Sequence, residues 1–393
     1  MVQATQASTM LDSTQTVPDG NKMPETVPQS IKELVLPAEQ LSLTSFLDHR
    51  LPPCATSASD LENYFTTLLP DTTTVSESTI TDELRTLPSP PPSVVHQLSL
   101  KAPIAWTNGS RSIVYMHTDN PRRFSFWILP LWRTIVELRT NQFEWRAARQ
   151  SVSQLASSHS EAMAFRAHMD VLTWSGTFQI ESLKDWTPIK DLCQFASRDW
   201  MSGSNLNAML DVMYKQVKAA DPTVEHKFKI QNTYFCARLR SAHSSHLRGQ
   251  TSPGSLSFLQ NVGTLLVDNP HSICFLAHVH GNHWTSVAID AITQQIHYGD
   301  SNQGSVPDDL KNATEWWLSN HFTSAFTWMQ LCITPQSDLH SCGLLAANAL
   351  MHYVSPDIHP LLPSCSTGID LDVARLHWGN AIISTYVRNT LYA

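Results

Sequence analysis

The chain has 393 residues, 42% of them hydrophobic, enough for one or two packed domains and a tail. No apolar run approaches the roughly 18 residues of a membrane span, and Met1–Gln6 opens with neither a basic nor an apolar signal-like run, so neither a span nor a secretory signal is expected. The whole net charge of −8 sits in the first quarter. Residues 1–100 carry 12 Asp and Glu against 4 Lys and Arg, whereas residues 101–393 carry 22 of each, so no basic excess asks for a nucleic-acid partner.

Residues 1–100 read as a disordered acidic tail rich in Ser, Thr and Pro, closed by a stiff linker at Leu87–Ser93. Its short apolar patches, Ile31–Leu36 and Leu61–Leu69, are either docking helices or local collapse. Residues 101–174 read as a Trp-rich helical region. Phe124–Trp132 is dense and apolar, Pro130 suits a helix start, and Trp132, Ile135, Val136, Trp145, Ala148, Val152 and Leu155 continue at helical spacing. Residues 175–393 read as the main domain. A helix capped by Ser202 or Ser204 runs through Leu206, Met209, Leu210 and Met213. Residues 241–256 read as a surface loop. Period-two patterning then predicts strands at Ser272–Val279, His283–Asp290 and Gln294–Gly299, with a turn at His280–Asn282 and another strand at Phe326–Ile333. A last helix is expected over residues 366–392.

Seven cysteines (Cys54, Cys193, Cys236, Cys274, Cys332, Cys342 and Cys365) stand singly, and none forms a C-x-x-C pair. That predicts neither a metal site nor a disulfide framework, no cofactor, and an intracellular, reducing setting in nucleus or cytoplasm. Cys342 differs from the others. It precedes Gly343 and the apolar run Leu344–Met351, so it opens a buried helix whose dipole favours thiolate.

Three residues elsewhere complete a reactive set. A tight turn at Ala291–Ile292 puts His283 directly opposite Asp300, as a base and its orienter. Cys342 is then the nucleophile. The amide of Gln336, six residues earlier, joins the Cys342 backbone N–H as an oxyanion donor. His280 shares the hairpin, but the Trp after His283 favours His283; His278 and His340 read as loop or surface residues.

In order and spacing, His283-Trp284, Asp300, Gln336 and Cys342-Gly343 resemble the ubiquitin-like protease (SUMO/sentrin-specific protease) family of papain-like cysteine peptidases, in the clan that includes adenain. The resemblance covers about residues 175–390, and the Trp-rich stretch at 124–174 is similar to one upstream in divergent fungal members. It implies an α+β, papain-like fold: a central mixed or antiparallel sheet flanked by helices, with the nucleophile at the N-terminus of a buried helix. It implies cleavage after the Gly-Gly tail of a ubiquitin-like modifier; a monomer without nucleic-acid or membrane partners is expected. Trp200 and Trp284 would line a slot passable only by glycine, with Gly343 beside it; two rigid indoles suit that purpose. The chain departs from the family pattern at Gly203, where an Asp is usual, at Ser341, and in Ser337–His340, which lacks an Asn-Gly turn. Two other functions share the resemblance: a clan-related acetyltransferase using the same Cys-His-Asp site, and a catalytically inactive modifier-binding module.

Overall fold

The structure, a computed structural model, describes residues 22–55, 61–71, 84–115, 121–250, 253–363 and 368–387. The chain divides into two units, Met1–Pro37 with Arg50–Thr140, and Ala38–His49 with Asn141–Ala393.

In the first unit, β1 (Phe65–Thr66), β2 (Ser112–Tyr115) and β3 (Arg122–Phe124) form a small antiparallel sheet. Its core gathers Leu98, Ile113, Phe126, Ile128 and Trp132, with the Trp106 ring edge-on to Phe126 at 5.3 Å. A helix at Gln29–Val35 buries Ile31 and Val35 in the same core.

Within the first hundred residues, short helices form at Gln29–Val35 and Leu43–Asp48, where composition alone gives no sign of them. Within the second unit, the helix Leu43–Asp48 buries Leu43, Phe46 and Leu47. Phe46 stacks on Trp174 at 4.6 Å, and the Gln142 amide donates to the carbonyls of Phe46 (2.7 Å) and His49 (2.9 Å). The reason is that average composition scores a stretch against itself, whereas Phe46 finds its partner far along the chain. The part of the expected tail at residues 1–21 lies outside the described residues, as does Cys365.

The second unit holds a hairpin, β4 (Thr177–Ile180) with β5 (Asp185–Pro188), and a five-stranded sheet. The sheet is built from β6 (Phe228–Ile230), β7 (Ser272–Val279), β8 (His283–Asp290), β9 (Gln295–Gly299) and β10 (Thr327–Gln330), in the order β10-β9-β8-β7-β6. The three central strands are an antiparallel meander, and both outer strands pair in parallel, so the sheet is mixed.

Side-chain alternation assigns the two faces. Ile273, Phe275, Ala277, Val279, Val287 and Ile289 turn to one core. There they meet Phe235, Leu239 and Ala242 of the helix Tyr234–Leu247, Leu259 and Leu266 of Pro253–Asp268, and Leu310, Ala313 and Trp317 of Asp308–Ser319. Of the surface loop expected at 241–256, residues 241–247 are instead helical: spacing of four and three at Phe235, Leu239 and Ala242 continues the helix through the Ser/His-rich residues, most of which occupy its other side.

The opposite face carries the helix Cys342–Val354, in which every residue from Cys342 to Met351 is buried. Ser286 Oγ of β8 donates to the Ala346 carbonyl at 2.7 Å, tying sheet to helix. The fold is thus α+β, with a mixed sheet between helices and Cys342 as the first residue of a buried helix, as expected. The last helix, Gly368–Ile382, buries Leu371, Leu376 and Ile382, and also Arg375. Among the described residues no helix is long and apolar enough to cross a membrane.

Candidate active site

Three loops converge at one end of the sheet. The first is the β7–β8 turn, where His280 and Gly281 adopt left-handed φ values of 54° and 77°. It delivers His283 as the first residue of β8, buried to 7% exposure.

The second follows β9. Its ladder pairs Ser286 with Gly299 and Asp290 with Gln295, a register two residues away from the one the tight turn predicts. The cause is a longer turn, Ala291–Gln294. Asp290 accepts the Ile292 N–H (2.8 Å) and the Thr293 hydroxyl (2.8 Å), and Gln294 is left-handed at φ 55°. Asp300 is therefore not opposite His283. A shift of two preserves the face, however, so both side chains still project to the same side.

They meet there: His283 Nε2 lies 2.7 Å from Asp300 Oδ1. That leaves Nδ1, whose neighbour Asn302 Nδ2 is 3.4 Å away. The Asp300 bond, and after it the neighbouring Cys342, raise the imidazole pKa to about 9 against the opposition of burial. Burial pushes the Asp300 carboxyl up, but the His283 bond and the backbone N–H groups of Asn302 and Gly304 outweigh it and hold the carboxyl below its usual range. A Cβ at Gly304 would come within 2.6 Å of Asp300 Oδ2, so the backbone there lies directly against the carboxylate.

The third loop, Gln336–Ser341, leads into Cys342. Gln336 accepts from Ser301 Oγ at 3.0 Å, and its N–H donates to the Ser301 carbonyl at 2.8 Å. Its amide Nε2 donates to the Asp338 carbonyl (2.8 Å) and to Asp338 Oδ1 (3.1 Å). The candidate oxyanion donor thus sits on the expected loop with its amide turned onto Asp338. Asp338 also makes the turn for which Asn-Gly is lacking, by accepting the N–H groups of His340 (2.9 Å) and Ser341 (2.8 Å).

Trp200 and Trp284 are brought to the same neighbourhood by a short strap, 199–202. Arg375 donates to the Asp199 carbonyl, the Trp200 indole to the Leu339 carbonyl at 2.7 Å, and the Trp284 indole to the Met201 carbonyl at 3.2 Å. The Ser202 N–H donates to Gln194 Oε1 at 2.7 Å, and Ser202 Oγ caps the following helix by accepting the Asn205 N–H. Trp200 is half exposed; Trp284 is packed on His278, its cross-strand partner, at 4.6 Å.

Gly343 faces the Leu206 side chain and Met201, with 3.1 Å from a notional Cβ to the nearest Leu206 carbon, so its smallness lets two helices close together. The Gly203 position is equally constrained: a Cβ there would lie 2.8 Å from Thr233 Oγ1.

Ser301, Asn302, Asp338, Gln194 and Arg375 escaped the sequence reading. Asn302 and Ser301 follow Asp300 directly and carried a weak signal, as polar residues at a strand end. Arg375 carried none, because a cation in a helix ordinarily reads as solvent-facing. Among the described residues no group of three or more His, Cys, Asp or Glu side chains is placed to hold a metal.

No family model and no curated sequence matches the chain. Among solved structures, the chain is similar to the SUMO protease Ulp1 with its catalytic cysteine oxidised to a sulfenic acid, at 15% identity and a TM-score of 0.41, over 57% of this chain and 93% of that one. It is similar to the catalytic domain of the Ulp1-like SUMO protease of Chaetomium thermophilum, at 17% identity and a TM-score of 0.35, over 47% and 72%. It is also similar to the Xanthomonas campestris effector XopD bound to ubiquitin, at 15% identity and a TM-score of 0.33, over 46% and 91%.

Proposed function

We propose that the chain is a cysteine peptidase or isopeptidase that cleaves after the C-terminal Gly-Gly of a ubiquitin-like modifier. The observation that carries the reading is the His283–Asp300 contact of 2.7 Å, with the remaining ring nitrogen left for Cys342 at a helix start.

In this reading Cys342 sulfur attacks the carbonyl carbon of the terminal glycine as thiolate. The S–C bond forms while the carbonyl electrons move onto oxygen, and the helix N-terminal N–H groups stabilise that oxyanion. The tetrahedral intermediate collapses, the C–N bond breaks, and the leaving amine takes the proton that His283 holds. Water then attacks the thioester carbon and gives one proton to His283; the C–S bond breaks with its electrons returning to sulfur, and the released acid loses its remaining proton to solvent, so the modifier leaves as a carboxylate. Asp300 keeps the imidazole oriented and stabilises its charged form throughout. Trp200 and Trp284 would flank the tail and select against side chains on its two glycines. Support for the modifier as substrate comes from the His-Trp, Asp, Gln and Cys-Gly order of the sequence.

The test is to incubate the full chain with a panel of ubiquitin-like modifiers bearing C-terminal electrophiles. A covalent adduct with at least one member, abolished by Cys342→Ala, is expected. If every member fails to form an adduct, the protease reading falls; binding without an adduct would indicate an inactive modifier-binding module.

A further inference from the structure

Asp338 lies outside the reactive set, yet the whole lead-in to Cys342 is folded around it. Its Oδ1 accepts the His340 N–H at 2.9 Å, the Ser341 N–H at 2.8 Å and the Gln336 amide at 3.1 Å. Its Oδ2 accepts the Ser341 hydroxyl at 2.6 Å, with His340 Nε2 3.4 Å away. Its carbonyl takes the Gln336 amide at 2.8 Å. Bonds of this kind to an ionised acceptor are the stronger ones.

Gln336 is fixed at its other end as well. Ser301, the residue after Asp300, both donates to its side-chain oxygen at 3.0 Å and accepts from its backbone N–H at 2.8 Å. The Trp200 indole closes the loop from outside through the Leu339 carbonyl at 2.7 Å. A glutamine with three rotatable side-chain bonds is thus held in one conformation, from one side by the residue next to the orienter and from the other by Asp338. A lead-in loop left free to move would forfeit much of what fixed backbone donors at the helix start contribute.

We propose that Asp338 is a positioning residue for acyl transfer: through Oδ1 and Oδ2 it holds the Ser341–Cys342 peptide in place, so that the backbone N–H groups at the helix start serve the oxyanion, while its carbonyl and Oδ1 take up the Gln336 amide. The proposal rests on the acyl-transfer reading above. It assigns no role to Asp338 in forming the thiolate, which His283 supports directly.

That separation makes the test. Iodoacetamide is attacked by Cys342 thiolate with formation of a C–S bond and departure of iodide, and no oxyanion arises. A Gly-Gly peptide p-nitrophenyl ester is attacked at its carbonyl; the S–C bond forms, an oxyanion develops and collapses, and p-nitrophenolate leaves. Both rates are measured on the full chain, alkylation at the Cys342 peptide by mass spectrometry and acylation by p-nitrophenolate release above the Cys342→Ala background. Asp338→Ala is expected to slow acylation by about tenfold to a hundredfold, since a donor misplaced by a fraction of its bond length loses most of its effect. Alkylation should stay within about twofold, because it follows thiolate reactivity alone. Asp338→Asn, which keeps an acceptor at the Oδ1 position, should recover most of the acylation rate.

Equal loss of both rates in Asp338→Ala would make Asp338 a structural cap only and overturn the proposal. So would acylation at the wild-type rate. A wild-type chain that is alkylated at Cys342 but takes no acyl group overturns the acyl-transfer reading itself, and this proposal with it.

Discussion

His283 and Asp300 meet at 2.7 Å although they are not ladder partners. The β8–β9 ladder ends at Ser286 and Gly299, and beyond it the two chains are joined by this side-chain contact. The pairing is therefore set by the length of the Ala291–Gln294 turn and by the backbone of Asn302–Gly304 around the carboxylate.

In the proposed reaction the pair would set the alkaline limit. Asp300 is the largest cause of the raised imidazole pKa, about 9 against an ordinary 6.5. The imidazolium, which in that reaction would protonate the leaving group, persists below that value and is lost as pH rises through it. Modifier cleavage should accordingly fall off on the alkaline side near pH 9. Asp300→Asn removes the raising partner, so the alkaline limb should move toward lower pH and turnover should drop by at least about tenfold, with a smaller change in KM. Steady-state rates across pH for both proteins check this; an unmoved limb removes Asp300 from the site.

Gly304 tests the same carboxylate from behind. The notional Cβ lies 2.6 Å from Asp300 Oδ2, closer than nonbonded atoms approach. Gly304→Ala should push the carboxylate away from its imidazole and lower turnover by about tenfold or more, while changing modifier binding little. Binding by isothermal titration, beside turnover on the same preparations, separates the two effects. Loss of affinity with unchanged turnover would contradict it.

The strap that carries Trp200 depends on Gln194. Its Oε1 accepts both the Ser202 N–H at 2.7 Å and the Asn205 side-chain amide at 2.9 Å. Gln194→Ala strands both donors in a mostly buried place, at a cost of about 1–3 kcal/mol. Urea unfolding should show that loss with an unchanged m-value. Slower cleavage is expected alongside it, since Ser202 is two residues from Trp200.

Cysteine reactivity should be selective. Burial pushes the thiols of Cys193, Cys236 and Cys274 up, Cys236 to about 11. In the folded chain these three should resist iodoacetamide at pH 7, while Cys342, the residue proposed as nucleophile at a helix start, is labelled together with the exposed Cys54 and Cys332. Peptide mass spectrometry before and after denaturation reads each site. His283→Ala should slow labelling at Cys342 and leave Cys332 unchanged.

Much of this was legible in the sequence because it is local. Period-two patterning marks β7 and β8 at their observed bounds, and the Cys-Gly followed by an apolar run marks the helix Cys342–Val354. Alternation and helical spacing act within a few residues, so a sequence carries them openly. The same locality misled at 241–247, where a polar surface stripe hid the buried one, and it carries no sign of the distant partner of Phe46.

What the sequence determined by itself is the residue types of the site and the elements that bear them: a histidine at a strand start, an aspartate at a strand end, a cysteine at a helix start. Tertiary structure alone decided how they meet. The two-residue shift of register, the Gln336 amide turned onto Asp338, the buried Arg375 holding the Asp199 carbonyl and the contact of Gly304 with Asp300 all depend on residues distant in sequence or on turn geometry. Such contacts are fixed by which polar groups remain unpaired once the apolar faces have closed, and that accounting exists only in the folded chain.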